Sequence, residues 1–312
     1  MSASRDLREG GRWTALQRRK NDVLWLLARL SLAATRPLPL RALRALGRMT
    51  GRAAHLCLPG ARRTARDNVS RVFPEMEERD QRDLVLRCFL GLGELLADTA
   101  AMLRSKVALA ALPLSEQAHR VIASARAEGR GVIFASAHLG PWERVAASLV
   151  AAGVPLVALA RESYDPRFSR LYEKLRGAHG VRVVWRASPG AAARILRTLR
   201  GGGVLGIPMD LRSRVPSCDA LFLGHPAPTA IGPARIALRA RAPVIVGTVA
   251  PRPDGSLVIT AARIDSSGLT RDDAGALELT TRINAELSRR ILALPHGWVW
   301  MHERWIAGTG VY

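Results

Sequence analysis

The spacing of apolar residues changes character along the chain. Between residues 61 and 103, Leu84, Val85, Cys88, Phe89, Leu92, Leu95 and Leu96 recur at three- and four-residue steps, which predicts helix. Pro113 and Ser115 open a further helix toward Ala127. From Gly131 the apolar residues come instead in short, partly β-branched runs: GVIFAS, VPLVALA, VRVVW, GGVLGIPM, APVIVGTVA and SLVITAARI. Each predicts a strand. Helical candidates at Trp142–Ala152, Arg167–Ala178, Pro189–Arg200 and Pro233–Arg241 lie between them, so strand and helix alternate as in an α/β sheet with crossover connections. A long helix from about Arg271 to Leu294 leads into a closing aromatic segment, Pro295 to Trp305. The predicted fold is one α/β catalytic domain over residues 67–312, its mainly parallel sheet flanked by helices. A basic helical extension that associates with a membrane occupies residues 1–66.

Within that extension the stretch Val23 to Leu58 is rich in Leu and Ala, but Arg29, Arg36, Arg41, Arg44, Arg48 and Arg52 interrupt it. It falls short of the roughly 20 apolar residues a spanning helix needs, and it carries no clean secretory cleavage site. The chain is therefore expected on the cytoplasmic side. From Leu40 to Leu56 the arginines at 41, 44, 48 and 52 share one side of a helix and Leu43, Leu46 and Thr50 another, a basic amphipathic pattern. Two readings stand: a helix lying in the membrane interface with its arginines on headgroups, or a surface helix packed on the body.

With 312 residues, 48% of them hydrophobic, the chain is long enough to bury a full core, which excludes disorder. Its three cysteines, Cys57, Cys88 and Cys218, form neither a disulfide framework nor a metal signature, and point to a reducing compartment. Net charge is +21, carried by 44 arginines and only 3 lysines; residues 1–66 alone hold 15 basic and 3 acidic residues. That excess suits an anionic membrane, an acidic carrier protein or nucleic acid. Nucleic acid is the poorest fit, because no aromatic residues interleave with the arginines and no recognised motif is present.

Ligand sites in open α/β sheets gather beyond the carboxyl ends of strands. Three such exits carry polar groups: Ala137-His138-Leu139-Gly140-Pro141-Trp142-Glu143, Arg161-Glu162 and Asp210. Gly140-Pro141 ends the first strand and starts a helix with proline at its first position, so Glu143 falls in the opening turn and His138 in the loop before it. Glu143 is thereby expected to take Nδ1 of His138, leaving Nε2 as a general base toward a hydroxyl. Asp210 reads equally well as a helix cap. Arg304 reads as packing in the terminal aromatic cluster. His119, His179, His225 and His296 have no partners at metal-ligand spacing, so no metal is expected.

His138-Leu139-Gly140-Pro141-Trp142-Glu143 resembles the His-x4-Asp/Glu element of the late, lauroyl- and myristoyl-transferring lipid A biosynthesis acyltransferases, within the lysophospholipid acyltransferase-like superfamily. Further blocks agree in order: Arg66-Asp67-Asn68-Val69 with Val72-Phe73-Pro74-Glu75, Ala160-Arg161, Pro208-Met209-Asp210, Phe222 to Thr229 with Gly232-Pro233-Ala234, and Trp300 to Trp305. The resemblance runs from about residue 22 to 305. Leu211 stands where the family has glutamine, Leu223 where it has a second phenylalanine, and Arg36 breaks a segment that is a membrane anchor in many relatives.

The resemblance implies an O-acyltransferase on the cytoplasmic face of the inner membrane. His138 deprotonates an acceptor hydroxyl that attacks an acyl-ACP or acyl-CoA thioester, and Glu143 orients His138. Arg161 binds a phosphate, Asp210 binds acceptor hydroxyls or holds Arg161, and Gly140, Glu162 and Gly224 complete the substrate site. No cofactor beyond the thioester is implied. The acceptor is a lipid A precursor, with a lysophospholipid, an ornithine-type lipid or another glycolipid as alternatives. A non-catalytic relative that only binds membranes is the remaining reading, against which His138 and Glu143 stand.

Overall fold

The computed structural model describes residues 13–104, 109, 111–212 and 215–305. The six predicted apolar runs form one sheet: β1 (Val132–Ser136), β2 (Leu156–Ala160), β3 (Arg182–Trp185), β4 (Val204–Pro208), β7 (Val244–Pro251) and β8 (Leu257–Ile264), in the order β3-β2-β4-β1-β7-β8. All are parallel except β8, which pairs antiparallel to β7 at the edge. Val132, Ile133, Phe134 and Ala135 of β1 are all buried, as expected of a central parallel strand covered on both faces.

Crossover helices α6 (Trp142–Ala151), α7 (Pro166–Ala178), α8 (Ala191–Arg200) and α9 (Gly232–Ala240) match the four predicted helices. Helix α5 (Glu116–Ala127) starts on Ser115, whose hydroxyl accepts from the Ala118 N–H, and α10 (Asp273–Ala293) is the predicted long helix. The region predicted helical from 61 to 103 divides into α3 (Pro59–Val72) and α4 (Glu78–Met102) at Phe73-Pro74, since the residue before a proline is driven out of helical geometry. Helix α3 runs without interruption through residue 66. A small hairpin, β5 (Ser217–Phe222) and β6 (His225–Ala230), was not predicted.

Among the described residues, two helices precede α3: α1 (Ala15–Ala34) and α2 (Leu40–Cys57). Residues 1–12 of the basic segment lie outside the described residues. The amphipathic helix α2 packs on α4. Leu43 is buried with Ala97 and Ala101, Arg44 forms a two-point ion pair with Asp98 at 2.7 and 3.0 Å, and Arg48 reaches Glu94 at 2.8 Å. The backbones touch: a Cβ added at Gly93 would lie 1.9 Å from the Gly47 carbonyl oxygen, and one at Gly51 would lie 2.2 Å from that of Phe89. No flexible side chain can yield there. Gly93→Ala is therefore expected to destabilise the protein by about 1–3 kcal/mol through overpacking, read as a lowered denaturation midpoint. An unchanged midpoint would show that the α2–α4 contact is not tight in solution. Among the described residues no helix is long and apolar enough to cross a membrane.

Candidate active site

The sheet register builds the centre of the site. β1 and β4 are neighbours, paired Ser136 to Pro208, and two residues past each end stand His138 and Asp210. They meet directly: Nδ1 of His138 lies 2.9 Å from Oδ1 of Asp210, and the His138 backbone N–H donates to Oδ2 at 2.8 Å. Asp210 is fully buried and also accepts from the Trp298 indole N–H at 2.8 Å. Burial alone would raise its pKa, but the His138 charge and these hydrogen bonds outweigh that and hold it below the ordinary aspartate value. Asp210 thus stays an acceptor, Nδ1 carries the proton, and Nε2 is the nitrogen left for the cavity.

The expected partnership of His138 is thereby corrected. Glu143 does lie in the first turn of α6, with Pro141 as its N-cap rather than its first helical residue, but it is turned to Arg176 of α7. That ion pair is two-pronged, at 2.7 and 3.0 Å, and Glu143 is buried. Asp210 correspondingly presents no open face to a substrate; fully buried, it is hydrogen-bonded to the imidazole and holds its orientation. Burial pushes the His138 pKa down, yet Asp210, with a smaller contribution from Glu143, more than offsets it and leaves the pKa above the ordinary value. The Tyr172 ring lies 5.5 Å from the Arg176 guanidinium, and the Trp142 ring stands edge-on to His138 at 5.0 Å.

The closing segment secures this arrangement from behind. Leu139 bridges Trp298, and the Gly140 N–H donates to the Gly297 carbonyl at 2.9 Å. Gly140 has φ +61°, and a Cβ there would lie 2.7 Å from a Val249 methyl, so only glycine fits between loop and strand. The segment is itself tied to the helices: the Asn68 side-chain amide donates to the Trp300 and His302 carbonyls, and the buried Cys88 thiol, its pKa pushed up to about 12, donates to that of Trp298. Arg304 is buried over the Phe222 ring and donates to Thr229. It packs the aromatic cluster, as expected.

His138 opens on a cavity of about 1410 Å³. Its depth is apolar, with Phe134, Leu149, Leu156 and Ala158; its mouth is basic, with Arg161, Arg186, Arg212 and Arg235. Arg161 also lies over the Tyr164 ring at 4.4 Å. His302 lines the mouth as well, and its Nε2 accepts from the Arg212 N–H, a role for the neutral imidazole that burial favours. Glu162 follows Arg161 without lining the cavity. Gly224, with φ +82°, makes the β5–β6 turn and is likewise no part of the wall. Arg176 and His302 were missed in the sequence, since neither stands at a strand exit.

A mainly parallel α/β sheet thus sets a carboxylate-held histidine on the wall of a large cavity with an apolar lining. The model of the bacterial lipid A biosynthesis acyltransferases matches residues 13–307, and the chain belongs to that family. It is an acyltransferase, and the family implies an acyl donor and a lipid acceptor. No curated protein matches the chain.

Proposed function

We propose that the protein moves a fatty acyl chain from an acyl-ACP or acyl-CoA thioester to a hydroxyl of a lipid A precursor, with His138 as general base. The observation that carries this reading is the Asp210–His138 hydrogen bond, which fixes the tautomer and leaves Nε2 toward the cavity. In the reaction the hydroxyl oxygen attacks the thioester carbonyl as its proton passes to Nε2. The C–S bond then breaks, and the leaving thiolate takes that proton from the imidazolium. No acyl-enzyme is needed. The apolar depth receives the acyl tail, and Arg161 at the basic mouth binds a phosphate, for which its planar fork is suited.

Membrane association on the cytoplasmic leaflet belongs to the same proposal. In α1, Val23, Leu26, Leu27 and Leu30 are all more than half exposed, while Trp25 on the opposite side packs on Phe168 of α7. Arg18, Arg19 and Lys20 precede that apolar stretch, a distribution suited to an anionic interface. The exposed leucines make α1, more than the docked α2, the lipid-facing helix.

Mass spectrometry of total lipids and lipid A from cells expressing wild type or His138→Ala at equal levels tests the reading. An acyl mass increment is expected in the wild type alone, and the modified species identifies the acceptor. Identical profiles, with an accepted precursor supplied and both proteins folded, would sink the proposal.

A further inference from the structure

One face of the sheet shows how the cavity ends. Phe134 of β1, Gly206 of β4 and Ala158 of β2 are register partners and so lie side by side on one face. On the same face, the level nearer the site holds Ser136, Pro208 and Ala160, and the level farther from it holds Leu156. All of these line the cavity. From Ser136 to the Leu156 level is four residues of strand, about 13 Å at the usual rise. Along the way the floor is made of small residues, Ala160, Ala158 and Gly206, with Ala146 of α6 among the facing residues.

The two large side chains at the inner end lean in different directions. A Cβ placed on Gly247 of β7 would strike the Phe134 ring at 2.2 Å, so that ring covers β7 rather than Gly206. A Cβ placed on Gly206 would come within 3.1 Å of a Leu156 methyl, so Leu156 reaches over β4 and crosses the path. Leu149 and Leu156 are both buried, so the inner end has an apolar wall.

Resting on the reading of this cavity as the acyl site, we propose that Leu156 and the missing side chain at Gly206 together set the length of acyl chain the enzyme transfers. Leu156 is the stop against which the methyl end of the chain abuts, and the absent side chain at Gly206 is what lets Leu156 lie low across β4 and so places that stop. A β-branched residue at 206 moves the stop toward His138; a small one at 156 moves it away. Each methylene that no longer fits an apolar pocket costs about tenfold or more in relative kcat/KM.

The test uses membranes from cells expressing the full chain, given acyl thioesters of graded length, with the acylated lipids identified by mass. For Gly206→Val the ratio of longest to shorter chains transferred is expected to fall at least about tenfold. For Leu156→Ala the longest chain transferred is expected to increase. If both variants transfer chains in wild-type proportions, the gauge is wrong while acyl transfer stands; if the wild type acylates no lipid from any donor, the acyl-site reading itself has failed. Should Gly206→Val not fold, Leu156→Ala alone decides, by a longer or an unchanged maximum.

Discussion

Asp210→Asn is expected to lower the acyl-transfer rate by about 10³- to 10⁴-fold while the protein remains folded. The carboxylate holds the proton on Nδ1 and offsets the imidazolium charge that builds up as Nε2 takes the hydroxyl proton. An asparagine oxygen can still accept from the His138 or Trp298 N–H, so the loop is retained, but the charge is gone. The pH profile separates this role from simple packing. Nε2 must be neutral to act as a base, so the wild-type rate rises with pH through the His138 pKa, which Asp210 holds above the ordinary value. In Asp210→Asn, burial acts with only Glu143 opposing it, and the residual activity should rise at lower pH than in the wild type. Initial rates measured across pH check both effects. A variant within tenfold of wild type, with an unmoved acid limb, would remove Asp210 from the mechanism.

The same pair ties stability to pH. The Asp210 pKa is depressed on folding, so its contribution is present above the unfolded value of 3.8 and is lost as pH falls through the folded one. The His138 pKa is raised, so its contribution is full below 6.5 and is lost as pH rises through the folded value. The two overlap in mildly acidic solution. Catalysis requires the neutral base and so favours the alkaline side of that window.

Topology explains why the sequence points to Glu143 and the fold to Asp210 as the partner of His138. Apolar runs, Pro141 and Ser115 mark elements because strand and helix periodicity and capping are local, and the strands and helices around the sheet were placed to within a few residues. Strand order is not local. Asp210 is 72 residues from His138 and meets it only because β4 inserts between β1 and β2, whereas Glu143 is near in sequence and lies in the right turn. The amphipathic pattern of α2 was likewise visible without its partner. Gly47 and Gly51, one helical turn apart, together with Gly93 were the available signal for a close crossing with α4. The β5–β6 hairpin was hidden by Pro226 and Pro228, residues that interrupt a strand pattern but are tolerated in an isolated two-stranded ribbon.

Breaking the Glu143–Arg176 pair from one side is expected to cost about 3–5 kcal/mol of stability, because it leaves a buried charge without its counterion. Arg176→Gln should therefore lower the denaturation midpoint strongly, although Arg176 touches neither His138 nor Asp210. Removing both charges has a different consequence. In Glu143→Gln/Arg176→Gln two neutral amides occupy the site, no ion is stranded, and most of the stability should return. Activity need not follow. Glu143 raises the His138 pKa and Arg176 lowers it, so the pair contributes a local field as well as packing between α6 and α7. If the pair only braces the helices, the double variant recovers rate together with stability and keeps the wild-type pH profile. If Glu143 also supports the imidazolium, stability recovers, kcat stays depressed, and the acid limb shifts. Denaturant titrations and pH–rate profiles on both single variants and the double variant make this a complete cycle. A single variant as stable as wild type would show that the carboxylate and guanidinium are not buried against each other in solution.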